Sequence, residues 1–366
     1  VLNVHMHHIA HNLQGYRSML HPGVKMMVMV KAFSYGSGTA EIANMLAFNR
    51  VDYLAVAYAD EGVELRRNGV HLPIMVMNPE PDTFAQLLEY HLEPEMYNFR
   101  ILQLFTQFLQ NEKYAGAAIP VHIKLDTGMH RLGFMSEEID ALANAVLQNP
   151  LLHIKSIFTH LAAADESEHD TFSQQQIAQF KIASDTLIKK LGYTPLLHIL
   201  NSPGISKFPD AQMDMVRLGI GLYGDDPAKH VSDKLLYTST LETTVTQIKQ
   251  IAAGESVGYG RSFIAGENMC IATLNIGYAD GFKRSLGNGV AKVWINGNLC
   301  PVVGRVCMDM IMVDITGAEN IIEGDIAEIF GAHISLHQFA QWMQTIPYEV
   351  LTGISQRVKR VYVQEG

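Results

Sequence analysis

A lysine at the end of an apolar run is the residue of this chain with the clearest chemical potential. The run is Val24-Lys-Met-Met-Val-Met-Val30, Lys31 follows it directly, and glycines at 36 and 38 form a turn after the lysine. An amine at the end of a buried strand is partly removed from water, which lowers its pKa and frees it to attack a carbonyl. The position therefore suits a lysine that forms a Schiff base.

Other polar residues follow other apolar runs in the first two thirds of the chain. These residues are Asp126 to Arg131, His160, Asn201 with Ser202, and Arg217 with Gly219 and Ile220. Each alone is typical of a solvated strand end. In a barrel of parallel strands, however, active sites lie at the carboxyl ends of the strands. We therefore expect these side chains to share one rim.

The last of these segments suits a phosphate group. The Ser202 hydroxyl and the backbone of Gly219 and Ile220 follow the seventh and eighth runs, where barrels often bind phosphate. The glycines at 36 and 38 are weak evidence alone, since no Walker lysine accompanies them. A Schiff-base lysine and a phosphate site on one rim together indicate pyridoxal 5'-phosphate, which needs both.

The elements that must position these residues alternate between strands and helices. Candidate strands are 24–30, 53–56, 74–77, 94–97, 121–125, 154–159, 196–200 and 213–218. Helical spacing lies between them, as at 139–146, where Ser136 is a plausible N-cap. Such alternation favours parallel strands covered by helices, so we predict an α/β fold with a (β/α)8, TIM-like barrel.

A helix over residues 5–20 precedes the first strand. Its apolar positions Ile9, Leu13, Tyr16 and Leu20 are spaced to share one face. The histidines at 5, 7, 8 and 11 are explained by this helix, because neither a carboxylate nor a cysteine joins them. We therefore expect no metal site there.

The pattern of predicted elements changes near residue 236. Beyond it lie short strands separated by Gly and Asn, at 240–251, 270–276, 290–295, 302–306, 311–315 and 326–329. The sequence therefore predicts two domains: a cofactor-binding barrel over 1–236 and a mainly β domain over 237–366.

Composition limits the classes of partner. The chain has 366 residues and a formal net charge of -10, so nucleic acid and anionic membranes are disfavoured. No apolar stretch is long enough to span a bilayer. The three cysteines, at 270, 300 and 307, lack the spacing of a disulfide framework or a thiolate metal site. We expect a cytoplasmic protein with reduced cysteines.

With these features in place, the chain resembles the alanine racemase family, pyridoxal-phosphate enzymes of the barrel type (fold type III). The matching motifs are Val30-Lys-Ala-x-x-Tyr-Gly-x-Gly38, Lys124-Leu-Asp-Thr-Gly-Met-His-Arg-Leu-Gly133, Phe158-Thr-His160, His198-Ile-Leu-Asn-Ser202, Val216-Arg-Leu-Gly-Ile220, Val257-Gly-Tyr-Gly260, Ile276-Gly-Tyr-Ala-Asp-Gly281 and Val303-Gly-Arg-Val-Cys-Met-Asp309. They occur in the family's order over most of the chain, which makes the resemblance highly specific.

The resemblance implies a homodimer that interconverts L-alanine and D-alanine and supplies D-alanine for peptidoglycan. Lys31 would hold the cofactor and act as one base, and Tyr259 from the partner subunit would act as the other. Racemisation takes a proton from one face of Cα and returns one to the opposite face, so two acid/base groups must flank that carbon.

The resemblance also implies the cofactor contacts. The phosphate would be bound by Tyr35, Ser202, Gly219 and Ile220, with Asn201 and Gln356 nearby. Arg217 would face the pyridine nitrogen, where a permanent cation disfavours protonation of that nitrogen and weakens the ring as an electron sink.

The substrate contacts are implied in the same way. Arg131 would hold the cofactor's phenolic oxygen and the substrate carboxylate, and His160 would hydrogen-bond Tyr259. The partner's loop would contribute the Met308 amide and Asp309, while Tyr278 would narrow the entrance.

The chain departs from the family pattern at three positions. Phe33 and Ser37 stand where the family usually has Asn and His, and Gln356 stands where it commonly has Tyr. We expect Gln356 to leave a roomier site that accepts serine better. Lys124 matches a lysine that is often carbamylated and then orients Arg131; the alternative is an ordinary lysine in a salt bridge.

Two alternative functions remain at this point: a related barrel-type decarboxylase of basic amino acids, and a catalytically silent PLP-binding domain. Arg217 and Tyr259 favour the racemase over both. The chain starts at Val1 rather than at a methionine, which we interpret as a sign of a module cut from a longer polypeptide. In the family, such a racemase module can follow the ligase that adds D-alanyl-D-alanine to the wall precursor.

Overall fold

The first residues of the chain form a short strand and a helix. The computed structural model describes residues 1–364, and in it β1 is Leu2–His5 and α1 is Met6–Arg17. The helix is shorter than the predicted 5–20, but Ile9, Leu13 and Tyr16 are fully buried as predicted. The sequence alone gave no sign of β1, which is only four residues long.

Eight parallel strands form the barrel that the sequence predicts. They are β2 Lys25–Met29, β3 Tyr53–Val56, β4 Ile74–Val76, β5 Glu93–Met96, β6 Ile119–Lys124, β7 Leu152–Phe158, β8 Leu196–His198 and β9 Met215–Leu218. The order of hydrogen-bonded neighbours is β8-β7-β6-β5-β4-β3-β2-β9. The N–H groups of Asp214 and Arg217 donate to the carbonyls of Leu197 and Leu200, which closes the ring.

Helices follow most of these strands. They are α2 Thr39–Phe48, α3 Ala59–Arg67, α4 Phe84–Glu89, α5 Phe99–Asn111, α6 Ile139–Leu147, α7 Asp170–Leu191 and α8 Ser202–Lys207. The predicted N-cap at Ser136 is wrong, because Ser136 begins a single 3-10 turn over Ser136–Glu138 and α6 starts only at Ile139.

The remaining elements are mainly β. They are β10 Ser239–Ile251, β11 Ser256–Val257, β12 Phe263–Ile264, β13 Met269–Leu274, β14 Lys292–Ile295, β15 Asn298–Val303, β16 Ile311–Asp314, β17 Ile326–Phe330, α9 Leu336–Trp342, α10 Pro347–Thr352 and β18 Arg360–Val363. The long strand β10 pairs with both β17 and β13, so six antiparallel strands form a second closed ring.

The chain divides into two compact units. We call residues 10–34 and 39–235 the barrel unit, and residues 1–9, 35–38 and 236 onward the C-terminal unit. A division by chain order alone assigns residues 1–9 to the barrel. In the structure they group with the C-terminal unit, because β1 pairs antiparallel with β10 and parallel with β18. Within residues 1–364, no helix combines the length and apolar character that crossing a bilayer requires.

Candidate active site

Lys31 starts a left-handed turn directly after the first barrel strand. The next four residues, 32–35, all have positive φ, between 48° and 57°. Ala32 donates its N–H to Glu61 Oε1 at 2.6 Å, and Glu61 also accepts from the Ala57 N–H at 2.6 Å. Left-handed backbone costs non-glycine residues about 1 kcal/mol or more each and persists only where surrounding contacts enforce it. The turn therefore fixes the direction in which the chain leaves Lys31, and Tyr35 is its buried last residue.

The amine of Lys31 lies in surroundings that favour its neutral form. Burial lowers its pKa, and the positive charge of Arg131 adds to the effect, while Glu61 opposes it. A cavity of about 380 Å³ is lined by the predicted site residues Lys31, Lys124 and Arg131, together with Ala57, Met77, Asn78 and Leu132. This volume is at the lower end of the range of ligand pockets, roughly 300–1,000 Å³.

Lys124 forms an ion pair with a residue that the sequence did not single out. Its Nζ lies 3.2 Å from Oε1 of Glu95, and both side chains are almost fully buried. Burial raises the pKa of Glu95 to about 7, although Lys124 and Arg217 pull it down. The available signal was a carboxylate inside the predicted strand 94–97. The salt bridge matches the alternative weighed for Lys124, and its carbamylation stays a prediction.

Arg217 is buried at the end of β9 and is held by four acceptors. Its Nη1 donates to His198 Nδ1 at 2.8 Å. Its Nη2, which has two hydrogens, donates to the carbonyls of Thr159 at 2.8 Å and Ile199 at 3.0 Å and shares one hydrogen with His160 Nδ1 at 3.2 Å. Burial lowers the pKa of Arg217 to about 10, and Glu95 opposes this shift. The guanidinium is thus a fixed cation at neutral pH.

The contact between Arg217 Nη2 and His160 Nδ1 determines which ring nitrogen of His160 carries the proton. A guanidinium can only donate, so His160 Nδ1 must accept, and the ring proton is on Nε2. Burial, followed by the charges of Arg217 and Arg131, lowers the pKa of His160 well below its ordinary value. His160 is therefore a neutral donor through Nε2.

Backbone and hydroxyl groups near Ser202 suit an anion. Ser202 Oγ accepts from the N–H groups of Gly219 at 2.8 Å and Gly221 at 3.2 Å, which leaves its own proton to donate. The N–H of Ile220 donates to no acceptor within residues 1–364. Asn201 uses its side-chain oxygen to cap α8 through the Gly204 N–H at 3.1 Å. These donors fit a phosphate group, as Lys31 fits the carbonyl that pyridoxal phosphate carries.

The other predicted site residues belong to the C-terminal unit. Tyr259, Tyr278 and Met308 are 68%, 41% and 53% exposed. Tyr278 donates its N–H to the Cys307 carbonyl and Ala279 donates its N–H to the Met308 carbonyl, each at 3.0 Å. These bonds join the loop that contains Tyr278 to the loop that contains Met308. Within the described chain the Met308 N–H has no acceptor.

An ion-pair cluster lies beside these two loops. Arg357 contacts Asp280 through Nε and Asp309 through Nη2, each at 2.7 Å. Gln356 next to it is exposed. The bridging role of Arg357 was not predicted from the sequence and is visible only in three dimensions.

Comparisons with known proteins agree in both halves of the chain. A family model described as alanine racemase, N-terminal domain, matches residues 4–227, and one described as alanine racemase, C-terminal domain, matches residues 238–362. Alanine racemase 1 of Caldanaerobacter subterraneus is 35% identical over 376 residues, covering 100% of this chain and 95% of the relative. The alanine racemase of Carboxydothermus hydrogenoformans is 36% identical, with 98% of each chain covered.

Solved structures give the same result. Alanine racemase from Clostridium difficile superposes with a TM-score of 0.91 at 34% identity, covering 99% of this chain and 95% of that one. Alanine racemase from Bartonella henselae with covalently bound pyridoxal phosphate has a TM-score of 0.90 at 30% identity, with 99% of each chain covered. On these matches and on the geometry above, the chain belongs to the alanine racemase family.

Proposed function

We propose that this protein is a pyridoxal-phosphate-dependent alanine racemase that interconverts L-alanine and D-alanine and so supplies D-alanine for peptidoglycan. The observation that carries the proposal is the Lys31 amine, with its lowered pKa, in a cavity beside Arg131. Covalently bound pyridoxal phosphate in the Bartonella henselae relative supports the same cofactor here.

The residues that would hold the cofactor come mainly from the barrel rim. Lys31 would bind its carbonyl carbon, and the Ser202 hydroxyl, the Gly219 and Ile220 backbone and Tyr35 would bind its phosphate. When bound, pyridoxal phosphate draws electrons from the substrate Cα and so acidifies the proton on that carbon. Asn201 would contribute by fixing the start of α8, through the bond that it makes to Gly204.

Arg217 would control how strongly the ring draws electrons. Both of its Nη groups are engaged, whereas its Nε–H has no acceptor among the described residues 1–364. We assign this donor to the pyridine nitrogen. A guanidinium there opposes protonation of the nitrogen, which limits side reactions of the carbanion.

Two bases on opposite faces of Cα would move the proton. We assign one to the Lys31 amine and the other to Tyr259 of the partner subunit. The 68% exposure of Tyr259 supports this, because a side chain that completes another subunit's site must project from its own. His160 would donate its Nε2 proton to the Tyr259 oxygen and stabilise the phenolate that acts as base.

Substrate orientation would come from both subunits. Arg131 and the Met308 N–H, which has no acceptor within residues 1–364, would bind the carboxylate. Tyr278 would narrow the entrance, and Asp309 would act through Arg357. This arrangement requires a homodimer.

We further propose 1–236 and 237–366 as the functional division of the chain, and the cytoplasm as its compartment. The family models support the first, since one ends at residue 227 and the next starts at 238. The three free cysteines of the described chain support the second.

A chiral assay tests the proposal. Purified protein with pyridoxal phosphate is incubated with L-alanine, and D-alanine is measured over time for the wild type, Lys31→Ala and Tyr259→Phe. We expect D-alanine from the wild type only. Full turnover in both directions by Tyr259→Phe would remove that residue as the second base, and release of a decarboxylated amine from lysine or ornithine would favour the decarboxylase instead.

A further inference from the structure

A continuous line of buried hydrogen bonds connects Arg217 to the far side of the barrel interior. Arg217 contacts His198 Nδ1 at 2.8 Å, His198 Nε2 contacts Ser156 Oγ at 2.8 Å, and Ser156 Oγ contacts His122 Nδ1 at 2.6 Å. His122 Nε2 then contacts Glu93 Oε2 at 2.8 Å. The five residues come from five neighbouring strands, β9, β8, β7, β6 and β5.

Each end group of this line fixes the position of the proton on the histidine that it contacts. Arg217 can only donate, so His198 must accept at Nδ1 and carry its proton on Nε2. That proton goes to Ser156, whose hydroxyl then donates to His122 Nδ1. The remaining His122 proton, on Nε2, meets the Glu93 carboxylate, which only accepts. When His122 is neutral, this arrangement satisfies all four bonds.

The environment supports a neutral His198 ring. His122, Ser156 and His198 are completely buried. Burial, then the charge of Arg217, lowers the pKa of His198 well below its ordinary value. The His198 ring also stacks on Phe158 at a centroid distance of 4.9 Å, which restrains its rotation.

The acidic end of the line has a second anchor. Tyr53 from β3 hydrogen-bonds the Glu93 carboxylate, and this bond, after burial and the Glu93 charge, raises the pKa of the Tyr53 phenol. The Tyr53 ring also lies edge-on to His122 at 6.0 Å. Glu93 is therefore held as an acceptor, although its side chain is 13% exposed.

We propose that Ser156, His122 and Glu93 are positioning residues that act through His198 to hold Arg217 in one orientation and charge state. This proposal rests on the proposed function, in which Arg217 faces the cofactor's pyridine nitrogen. A buried polar network with all partners satisfied is rigid, and one with a missing partner is costly. Loss of one hydrogen bond in the line is therefore expected to increase the mobility of the Arg217 guanidinium as well as that of the substituted residue.

The alternative is a purely structural role, in which these hydrogen bonds only satisfy buried polar groups in the barrel core. The two roles differ in what a break would change. A purely structural role predicts lower stability with an unaltered cofactor environment. A positioning role predicts that the absorbance spectrum of the bound cofactor and kcat change, while KM does not, because remote misplacement of a group at the reacting centre acts on the chemical step.

The test uses full-length protein loaded with pyridoxal phosphate and the variants Ser156→Ala and Glu93→Gln. Ser184→Ala is the matched control, because Ser184 is equally buried but donates only to the Lys181 carbonyl within α7. Nitrogen NMR of labelled histidine gives the tautomers, the visible spectrum reports on the cofactor, and alanine racemisation gives kcat and KM.

We expect His198 of the wild type to be neutral with the proton on Nε2, and His122 to carry a proton on the Nε2 that faces Glu93. Ser156→Ala is expected to leave the His198 Nε2 proton without its acceptor, shift the cofactor spectrum and lower kcat about tenfold with little change in KM. Glu93→Gln keeps an acceptor for His122 and is expected to have a smaller effect. Ser184→Ala should match the wild type in the spectrum and in kcat.

Two results would overturn the proposal. One is a wild-type His198 that is charged or protonated on Nδ1. The other is a folded Ser156→Ala protein with the spectrum and kcat of Ser184→Ala. Wild-type protein that fails to racemise alanine would contradict the proposed function instead, and the tautomers measured on that same sample still decide whether the line exists.

Discussion

Glu95 and Lys124 form an ion pair inside the barrel, with a distance of 3.2 Å between Oε1 and Nζ. They occupy the neighbouring strands β5 and β6, one residue from the end of the first and at the end of the second. The pair places a carboxylate among the cations Lys124, Arg131 and Arg217, all of which lower the pKa of Glu95. Burial nevertheless has the larger effect.

The first prediction concerns the pH dependence of stability. The pKa of Glu95 rises from an ordinary 4.5 to about 7, so the folded protein holds this proton more tightly than the unfolded chain. Its contribution to the free energy of unfolding is present below pH 4.5 and is lost as pH rises through about 7, by up to ~3 kcal/mol.

Glu95→Gln cannot ionise and should remove this part of the pH dependence. Urea unfolding at a series of pH values measures it, with Glu137→Gln as an exposed control. A Glu95→Gln protein with the wild-type slope between pH 4.5 and 7 would show that the carboxyl titrates normally.

The second prediction concerns the left-handed turn after Lys31. Ala32 is exposed and has φ of 53°, so Ala32→Gly removes backbone strain without loss of packing. We expect it to stabilise the protein by about 0.5 kcal/mol, because relief of strain exceeds the entropy that glycine adds to the unfolded chain. Ala47→Gly in the right-handed helix α2 should instead destabilise by about 1 kcal/mol. Equal destabilisation by both changes in urea unfolding would argue against a strained turn.

The third prediction concerns the packing of the two substrate loops. A Cβ on Gly277 would overlap the backbone carbonyl of Met308, whereas a Cβ on Gly266 would meet nothing within 4 Å. We expect Gly277→Ala to cost about 1–3 kcal/mol and to raise KM for alanine, because Met308 and Tyr278 must shift. Gly266→Ala should change stability by less than about 0.5 kcal/mol. Thermal unfolding and steady-state kinetics check both predictions. An unchanged KM in Gly277→Ala would show that the packing of Gly277 against Met308 does not affect substrate binding.

The fourth prediction concerns substrate choice. Gln356 is exposed next to the Arg357 ion pairs, at the position where the family commonly has tyrosine. We expect Gln356→Tyr to lower the ratio of kcat/KM for serine to that for alanine roughly tenfold, as a narrowed pocket rejects the larger side chain. Gln338→Tyr on the exposed face of α9 is the control. A ratio that stays equal or rises would refute the roomier-site hypothesis.

Most of the barrel was predictable because its strands are short apolar runs with clear breaks between them. All eight predicted strands are present, with ends shifted by at most two residues. The strands β1 and β18 were not predicted, since each has four residues and is stabilised by pairing between distant parts of the chain. The helices α9 and α10 were also missed, because they are too short for a helical period to emerge.

The site was predictable only in part. Lys31, Arg131, His160, Ser202 and Arg217 follow separate strands, which the barrel geometry converts into one rim. Glu95, His122 and Ser156 were not found, because the partners of each come from other strands and are distant in the sequence. A polar residue at alternating, inward-facing positions of a barrel strand is the signal that marks them.

The pairing of β1 with both β10 and β18 bears on how this chain is made. Residues 10–235 contain everything that the barrel unit needs, so this unit can fold while later residues are still being synthesised. The C-terminal unit instead joins segments more than two hundred positions apart, and contacts of such high sequence separation form slowly. Its sheet must wait for Arg360–Val363 to leave the ribosome, so a chain truncated before Arg360 would have a complete barrel and an unprotected sheet edge at β1.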